Sequence, residues 1–260
     1  MAVPYFGTVT PQPSASRRCE LALTARDVWR IIAMDKIRDP QSEDTMEWLK
    51  AQLRQGIFGT GWANAGISIV LAVGIYVTSE IYYALNHGPN VIFLRSPLDD
   101  LIPVVPPFII PYVSLEPFIY ASLVLLLLFR TRIFQSAALT MIAAWFVSYF
   151  FYFFLQSYIE RPTLTGTDPL TQMIRDVYAS DHPYNDFPSL HTSLSTILAI
   201  HWWRVGKRIG IPVAVWVALI VMSTVFVKQH YVADVIGGLL LAFGASWVFL
   251  RTVARSTDKP

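Results

Sequence analysis

An all-α integral membrane bundle of six transmembrane helices is the fold this chain predicts, and three observations predict it. Hydrophobic residues make up 54% of the 260 residues, charged residues only 15%, and the mean hydropathy is +0.45; a soluble domain of this length carries more charge and less apolar surface. Six apolar runs follow one another, separated by polar segments. The lysines and arginines gather on one side of those runs.

A helix needs about 20 apolar residues to cross a hydrocarbon core of roughly 30 Å. Runs that meet or approach this length occupy 62–85, 107–129, 133–154, 190–203, 211–227 and 232–250. The fourth is short, and it lengthens through Pro188 and Ser189 if those residues are buried in protein rather than in lipid. The chain thus divides into an N-terminal tail (1–60), a six-span domain (61–250) and a C-terminal tail (251–260). The N-terminal tail has no apolar core of the kind a cleaved signal peptide carries. Within it Met46, Leu49 and Leu53 recur at helical spacing beside Trp48. That pattern predicts a short amphipathic helix, either lying on the inner membrane surface or packed on the inner ends of the spans.

Orientation follows from charge. With the N-terminus cytoplasmic, 16 lysines and arginines lie inside, among them Arg130, Arg132, Arg204, Lys207 and Arg208, against 4 outside: Arg95, Arg161, Arg175 and Lys228. Both tails are then cytoplasmic, and the asymmetry is that of the positive-inside rule. It puts the loops at 86–106 and 157–186 on the extracytoplasmic face, and a plasma or inner membrane is the expected location.

Several function classes fall away on composition. A net charge of +2, with basic residues scattered, gives no nucleic-acid surface. Cys19 is the only cysteine, so no disulfide forms within the chain. The eight tryptophans sit largely near span ends, as an aromatic belt does, and no cofactor is expected. His87 and His182 are loop residues and His201 reads as interfacial, at the inner end of the fourth span; no pair among them has metal-ligand spacing. Glu116, inside the second span, reads as part of a re-entrant entrance or as a buried partner for an arginine or tyrosine.

Both outer loops are long enough to expect function. The first, rich in proline, carries Asp99 and Asp100; in the second, Asp168 is placed to cap a helix that has Pro169 at its first position. A vestibule or lid over a site is expected, with the two aspartates as substrate-binding groups.

The chemistry concentrates in three short stretches on that same outer face: "ERP" (160–162), "DFPSLHTS" (186–193) and "KQHYVADVIGG" (228–238). His230 and Asp234 are four apart, so on a helix they share one face, where a carboxylate can orient an imidazole. The alternative is that His230 caps the span and Asp234 bonds to nearby backbone; yet an ionisable residue a turn inside a span is expensive and functional by default. His191 opens the fourth span, with Ser189 and the first backbone N–H groups of that helix forming a ready anion site. Arg161 offers bidentate geometry for phosphate and Lys228 a second positive charge. Two histidines, an aspartate, two cations and helix-end amides make up the equipment of phosphoryl transfer. Gly237 and Gly238 read as points of close helix packing beside it.

"RP" at 161–162, "PSLH" at 188–191 and "HYVAD" at 230–234 resemble, in the same order, the three signature motifs of the type 2 phosphatidic acid phosphatase (PAP2) superfamily. The resemblance covers 133–250 closely. It implies a lipid phosphatase or phosphotransferase in which His230 is the nucleophile and forms a phosphohistidine, Asp234 activates it, His191 protonates the leaving group and Arg161 binds phosphate; no metal is expected, because fixed cations and amides stabilise the charge. Three departures stand out: Phe154 and Thr224 occupy positions where the family has a lysine and an arginine, and Leu190 replaces a glycine. The set that remains is closer in style to inositol phosphorylceramide synthase and sphingomyelin synthase, and "SPLDDLIPVVP" at 96–106 is loosely similar to an acidic, proline-containing element of that branch.

The expected partners are a lipid phosphate ester, membrane lipid and, for a transferase, an alcohol acceptor. Phosphatase and head-group transferase share the first half-reaction and differ in whether water or an alcohol attacks second. The reading from another class is a six-span transporter or non-catalytic membrane protein. A transporter is expected to show inverted repeats with broken helices at mid-membrane, whereas here the polar groups collect at one surface.

Overall fold

The computed structural model describes residues 44–88 and 91–257. The tail at 1–43, with the inner basic residues Arg17 to Arg38, lies outside the described residues, as do the last three. Ten α-helices occur among the described residues: α1 (Asp44–Leu53), α2 (Trp62–Leu85), α3 (Pro97–Leu101), α4 (Ile109–Val113), α5 (Leu115–Phe129), α6 (Thr131–Phe154), α7 (Pro169–Ser180), α8 (Leu190–Val205), α9 (Lys207–Phe226) and α10 (Val232–Thr257). Instead of strands they contain two isolated β-bridges, Ile92 with Ser157 and Tyr158 with Tyr184.

Five segments are long and apolar enough to cross a membrane: Trp62–Leu85, Pro106–Phe129, Thr131–Phe154, Lys207–Phe226 and Val232–Leu250. Their bounds agree with the expected runs within a few residues. α2 is the most peripheral; it packs on α6 and turns Ile69, Val70, Val73, Tyr76 and Val77 outward, an apolar face that lipid would cover. The 16 residues of α8 span only about 24 Å at 1.5 Å per residue.

What distinguishes α8 is its position. It packs against α6, α9 and α10, and buries Leu190, Leu194, Ile197, Leu198 and Trp202 together with Thr192, Ser193, Ser195 and Thr196. A helix enclosed by other helices has no lipid to satisfy, so polar side chains are tolerated on every side if they bond internally. Ser193 and Ser195 do so, donating to the Ser189 and His191 carbonyls at 2.6 Å each. Pro188 and Ser189 are likewise buried in protein. Around this axis the core contains Leu126, Met141, Ile197, Leu198 and Ala242.

The same enclosure corrects the expectation for His201. Instead of lying at an interface it is fully buried, with Nε2 3.1 Å from Ser136 Oγ and Nδ1 2.7 Å from the Ile197 carbonyl. α6 covers the C-terminal end of α8, so distance along the sequence from the span centre does not translate into exposure. Glu116 departs the other way: it sits exposed in the first turn of α5 and is not a buried partner.

α1 is present at the expected place, and the turn after it is stitched to α5 and α6. Ile57 N–H donates to the Leu127 carbonyl and Thr131 N–H to the Gln55 carbonyl, both at 3.1 Å. Of the two settings expected for this helix, the bonds at its end favour packing on the span ends.

Gly238 decides how near α10 comes to α8. A Cβ there would lie 2.7 Å from the Ser189 carbonyl oxygen and 2.8 Å from Thr192 Cβ, and one at Gly237 would meet the Phe187 ring at 2.5 Å. Gly238→Val should therefore destabilise the bundle by about 1–3 kcal/mol, as overpacking does, and depress activity. Gly244→Ala, where a Cβ meets nothing within 4 Å, is the control. Thermal unfolding in detergent compares the two, and equal midpoints would show that the contact does not limit packing.

Candidate active site

The turn between α9 and α10 begins with Lys228 in the left-handed region, at φ 54°. A lysine there is uncommon; the turn is held because Gln229 N–H and His230 N–H both donate to the Thr224 carbonyl, at 2.9 and 3.1 Å. His230 is thereby placed just before α10, 7% exposed. Asp234, fully buried, brings Oδ2 to 3.7 Å from His230 Nδ1. That is a close approach of carboxylate and imidazole, too long for a hydrogen bond. The same oxygen accepts the Tyr231 N–H at 2.7 Å, so the carboxylate also holds the start of α10. His230 Nδ1 and Asp234 Oδ1 are both buried without a hydrogen-bond partner.

His191, in the first turn of α8, faces His230 with ring centroids 5.8 Å apart and planes at 58°. Ser189 is the N-cap of α8: its Oγ accepts the Thr192 N–H at 3.2 Å, so the hydroxyl serves the helix. Its own N–H donates to the Asp234 carbonyl at 3.1 Å. One backbone bond thus ties the two histidine-bearing segments together. Tyr152 of α6 adds a second tie, donating to the Pro188 carbonyl at 3.0 Å.

Arg161 arrives from the segment after α6. Its Nη1 donates to the carbonyls of Tyr178 and Asp181, at 3.0 and 2.7 Å, and Nη2 to Gln229 Oε1 at 2.7 Å. The Tyr178 ring lies 4.8 Å from the guanidinium carbon. Three of the five guanidinium N–H groups are therefore engaged, and the buried Nε has no partner. The two carbonyls belong to the C-terminal end of α7, where a cation is favoured. That helix begins as expected, with Asp168 accepting the Thr171 N–H and Pro169 in first position.

Asp99 and Asp100 have different surroundings. Asp99, buried, accepts the Val232 N–H at 2.8 Å on Oδ1, and Ser96 N–H and Oγ at 2.8 and 2.6 Å on Oδ2. It therefore fixes the entrance of α10. Lys228 Nζ donates to the Asp99 carbonyl at 2.8 Å. Partial burial lowers the Lys228 ammonium from its ordinary value, opposed by Asp99 and Asp100. Asp100 is half-exposed and paired with Arg95, which also reaches Glu160, at 2.6 and 2.8 Å. Arg95, Asp99, Asp100, Glu160, Arg161, Lys228 and Tyr231 line a vestibule of about 560 Å³. Among the described residues, no group of three His, Cys, Asp or Glu residues is arranged to hold a metal ion.

Residues 137–258 match the family model of the PAP2 superfamily. The PAP2 match begins within α6, at residue 137, and runs through α10, so Arg161, His191, His230 and Asp234 all fall within it. No curated protein and no solved structure matches the chain. Of the positions that depart from the PAP2 pattern, Phe154 is 64% exposed at the end of α6, while Thr224 serves through its carbonyl as the anchor of the His230 turn.

Three site residues escaped the sequence reading. Tyr112 of α4 stacks on His191 at 4.5 Å with planes 15° apart. Asp186 is buried and its Oδ2 has no partner; burial, then the Asp234 carboxylate, holds its carboxyl well above the usual range. Gln229 is the third. Asp186 stands inside the quoted "DFPSLHTS" and Gln229 inside "KQHY", where proximity to a histidine was a signal; Tyr112 offered only a lone hydroxyl in an apolar run.

Proposed function

We propose that the chain is a six-span enzyme of the PAP2 type that removes or transfers the phosphoryl group of a lipid phosphate ester at the extracytoplasmic face, through a phosphohistidine at His230. α8 supplies the sixth crossing, short because protein rather than lipid surrounds it. The observation that carries the proposal is the facing pair of histidines at 5.8 Å, with Asp234 behind one of them.

In this mechanism Asp234 holds Nδ1 of His230 and leaves Nε2 to attack phosphorus. The bond to the departing alcohol breaks, and the alkoxide takes a proton from His191. Water or a second alcohol then attacks phosphorus, giving its proton to His191, while the P–N bond breaks and His230 is regenerated. Arg161 has two uncommitted N–H groups for the phosphoryl oxygens. Lys228, in the vestibule, adds long-range attraction. Ser189, Asp99 and Asp100 enter the site less directly: the first two set the starts of α8 and α10, and Asp100 restrains Arg95.

The test is a panel of lipid phosphates with and without alcohol acceptors, with products identified by mass spectrometry. Inorganic phosphate identifies a phosphatase; an acceptor that carries the donor's phosphate with its head group still attached, formed when a phosphodiester lipid is the donor, identifies the inositol phosphorylceramide synthase type of head-group transferase. Vanadate, which adopts five-coordinate geometry, should inhibit, and chelators should leave activity unchanged because fixed cations and N–H donors neutralise the charge. Failure to process any phosphate ester, with no response to vanadate, would favour a transporter or scaffold instead.

A further inference from the structure

Gln229 directly precedes the proposed nucleophile and is 2% exposed. Its side-chain oxygen accepts Arg161 Nη2 at 2.7 Å. A guanidinium donates and never accepts, so the amide has only one admissible orientation: oxygen toward Arg161, nitrogen turned away. That nitrogen is buried and has no hydrogen-bond partner. Buried donors are nearly always satisfied, and one that is not needs an explanation.

The side chain has little freedom to find another partner. The backbone N–H groups of Gln229 and His230 are both spent on the Thr224 carbonyl, and the amide oxygen is held by Arg161. The next donor along, Arg161 Nε, is also buried and unpartnered. A carboxamide N–H and a guanidinium N–H joined by one hydrogen bond, beside a histidine, suit a ligand with several oxygen acceptors carrying negative charge. The Lys228 ammonium, by contrast, is already bonded to the Asp99 carbonyl.

We infer that Gln229 is a phosphoryl-binding residue, whose Nε2 donates to a non-bridging oxygen of the group that Arg161 holds. The inference rests on the phosphohistidine reading above. It assigns to a neutral amide a share of the charge stabilisation that cations alone would otherwise supply. Asp234 Oδ1 and Asp186 Oδ2 are likewise buried without partners.

Orthovanadate is the probe, with turnover of a lipid phosphate measured alongside. Gln229→Met keeps the volume and removes the donor. It should weaken vanadate inhibition and lower kcat/KM by on the order of 10²-fold, as loss of one preorganised donor does, with the unfolding midpoint of the parent. Gln229→Leu should behave alike and serves if the methionine variant folds poorly. In an Arg161→Lys background, Gln229→Met should still reduce both quantities further. Parent-like vanadate inhibition in a folded Gln229 variant would overturn the inference, and so would a loss that disappears in the Arg161→Lys background, because Gln229 would then only position Arg161. Failure of the underlying reading shows separately, as parent-like turnover in His230→Ala.

Discussion

His230→Ala should abolish turnover and leave no trappable phosphoenzyme, in a protein that still folds. Deleting a covalent nucleophile removes the reaction path itself, and losses on the order of 10⁶-fold in kcat are the scale to expect. The fold should survive because the imidazole makes no hydrogen bond that the bundle needs. Its one polar contact is the 3.7 Å approach to Asp234. That carboxylate keeps its bond from the Tyr231 N–H when the ring is gone, so the start of α10 remains capped. Acid-labile phosphate on the parent, absent from the variant, together with superimposable thermal unfolding, makes the case. Parent-like activity in the folded variant would remove His230 from the mechanism.

His191→Ala separates a general acid from a group that merely binds phosphate. Proton donation typically contributes 10²- to 10⁴-fold, and it matters only where the leaving group needs the proton. A lipid alkoxide does; p-nitrophenolate does not. The variant should therefore lose nearly all activity on the lipid ester and retain far more, relative to the parent, on p-nitrophenyl phosphate. His230→Ala should fail on both substrates. With chemistry rate-limiting, equal losses on the two substrates in His191→Ala would mean that His191 shapes the site and is not the acid. The Tyr112 ring stacked against it at 4.5 Å fixes the orientation from which it would donate.

The spans were legible because each is a local property of composition: α2 begins and ends at 62 and 85 in both readings. The histidines, Asp234 and Arg161 were legible because ionisable residues at the mouth of apolar runs are conspicuous. Contacts between distant segments left no such mark. Val232 and Asp99 are 133 residues apart, and Glu160 N–H meets the Tyr231 hydroxyl across 71; no periodicity encodes either pairing. The sequence therefore offers Asp99 only as a candidate substrate ligand and gives no sign of its bonds to Ser96 and the start of α10. His201 was misplaced for a related reason, since burial depends on which neighbour covers a helix end.

The single bond from Ser189 N–H to the Asp234 carbonyl has a consequence for how such a protein could diversify. It ties the two histidines into one frame with α8 and α10, whereas Arg95 and Asp100 pair with each other at the rim of the vestibule. Substitutions at those two positions would reshape the opening while leaving the distance between the two rings unchanged. Selectivity and reactivity are then inherited from separate parts of the chain, and a change of substrate does not require the chemistry to be rebuilt.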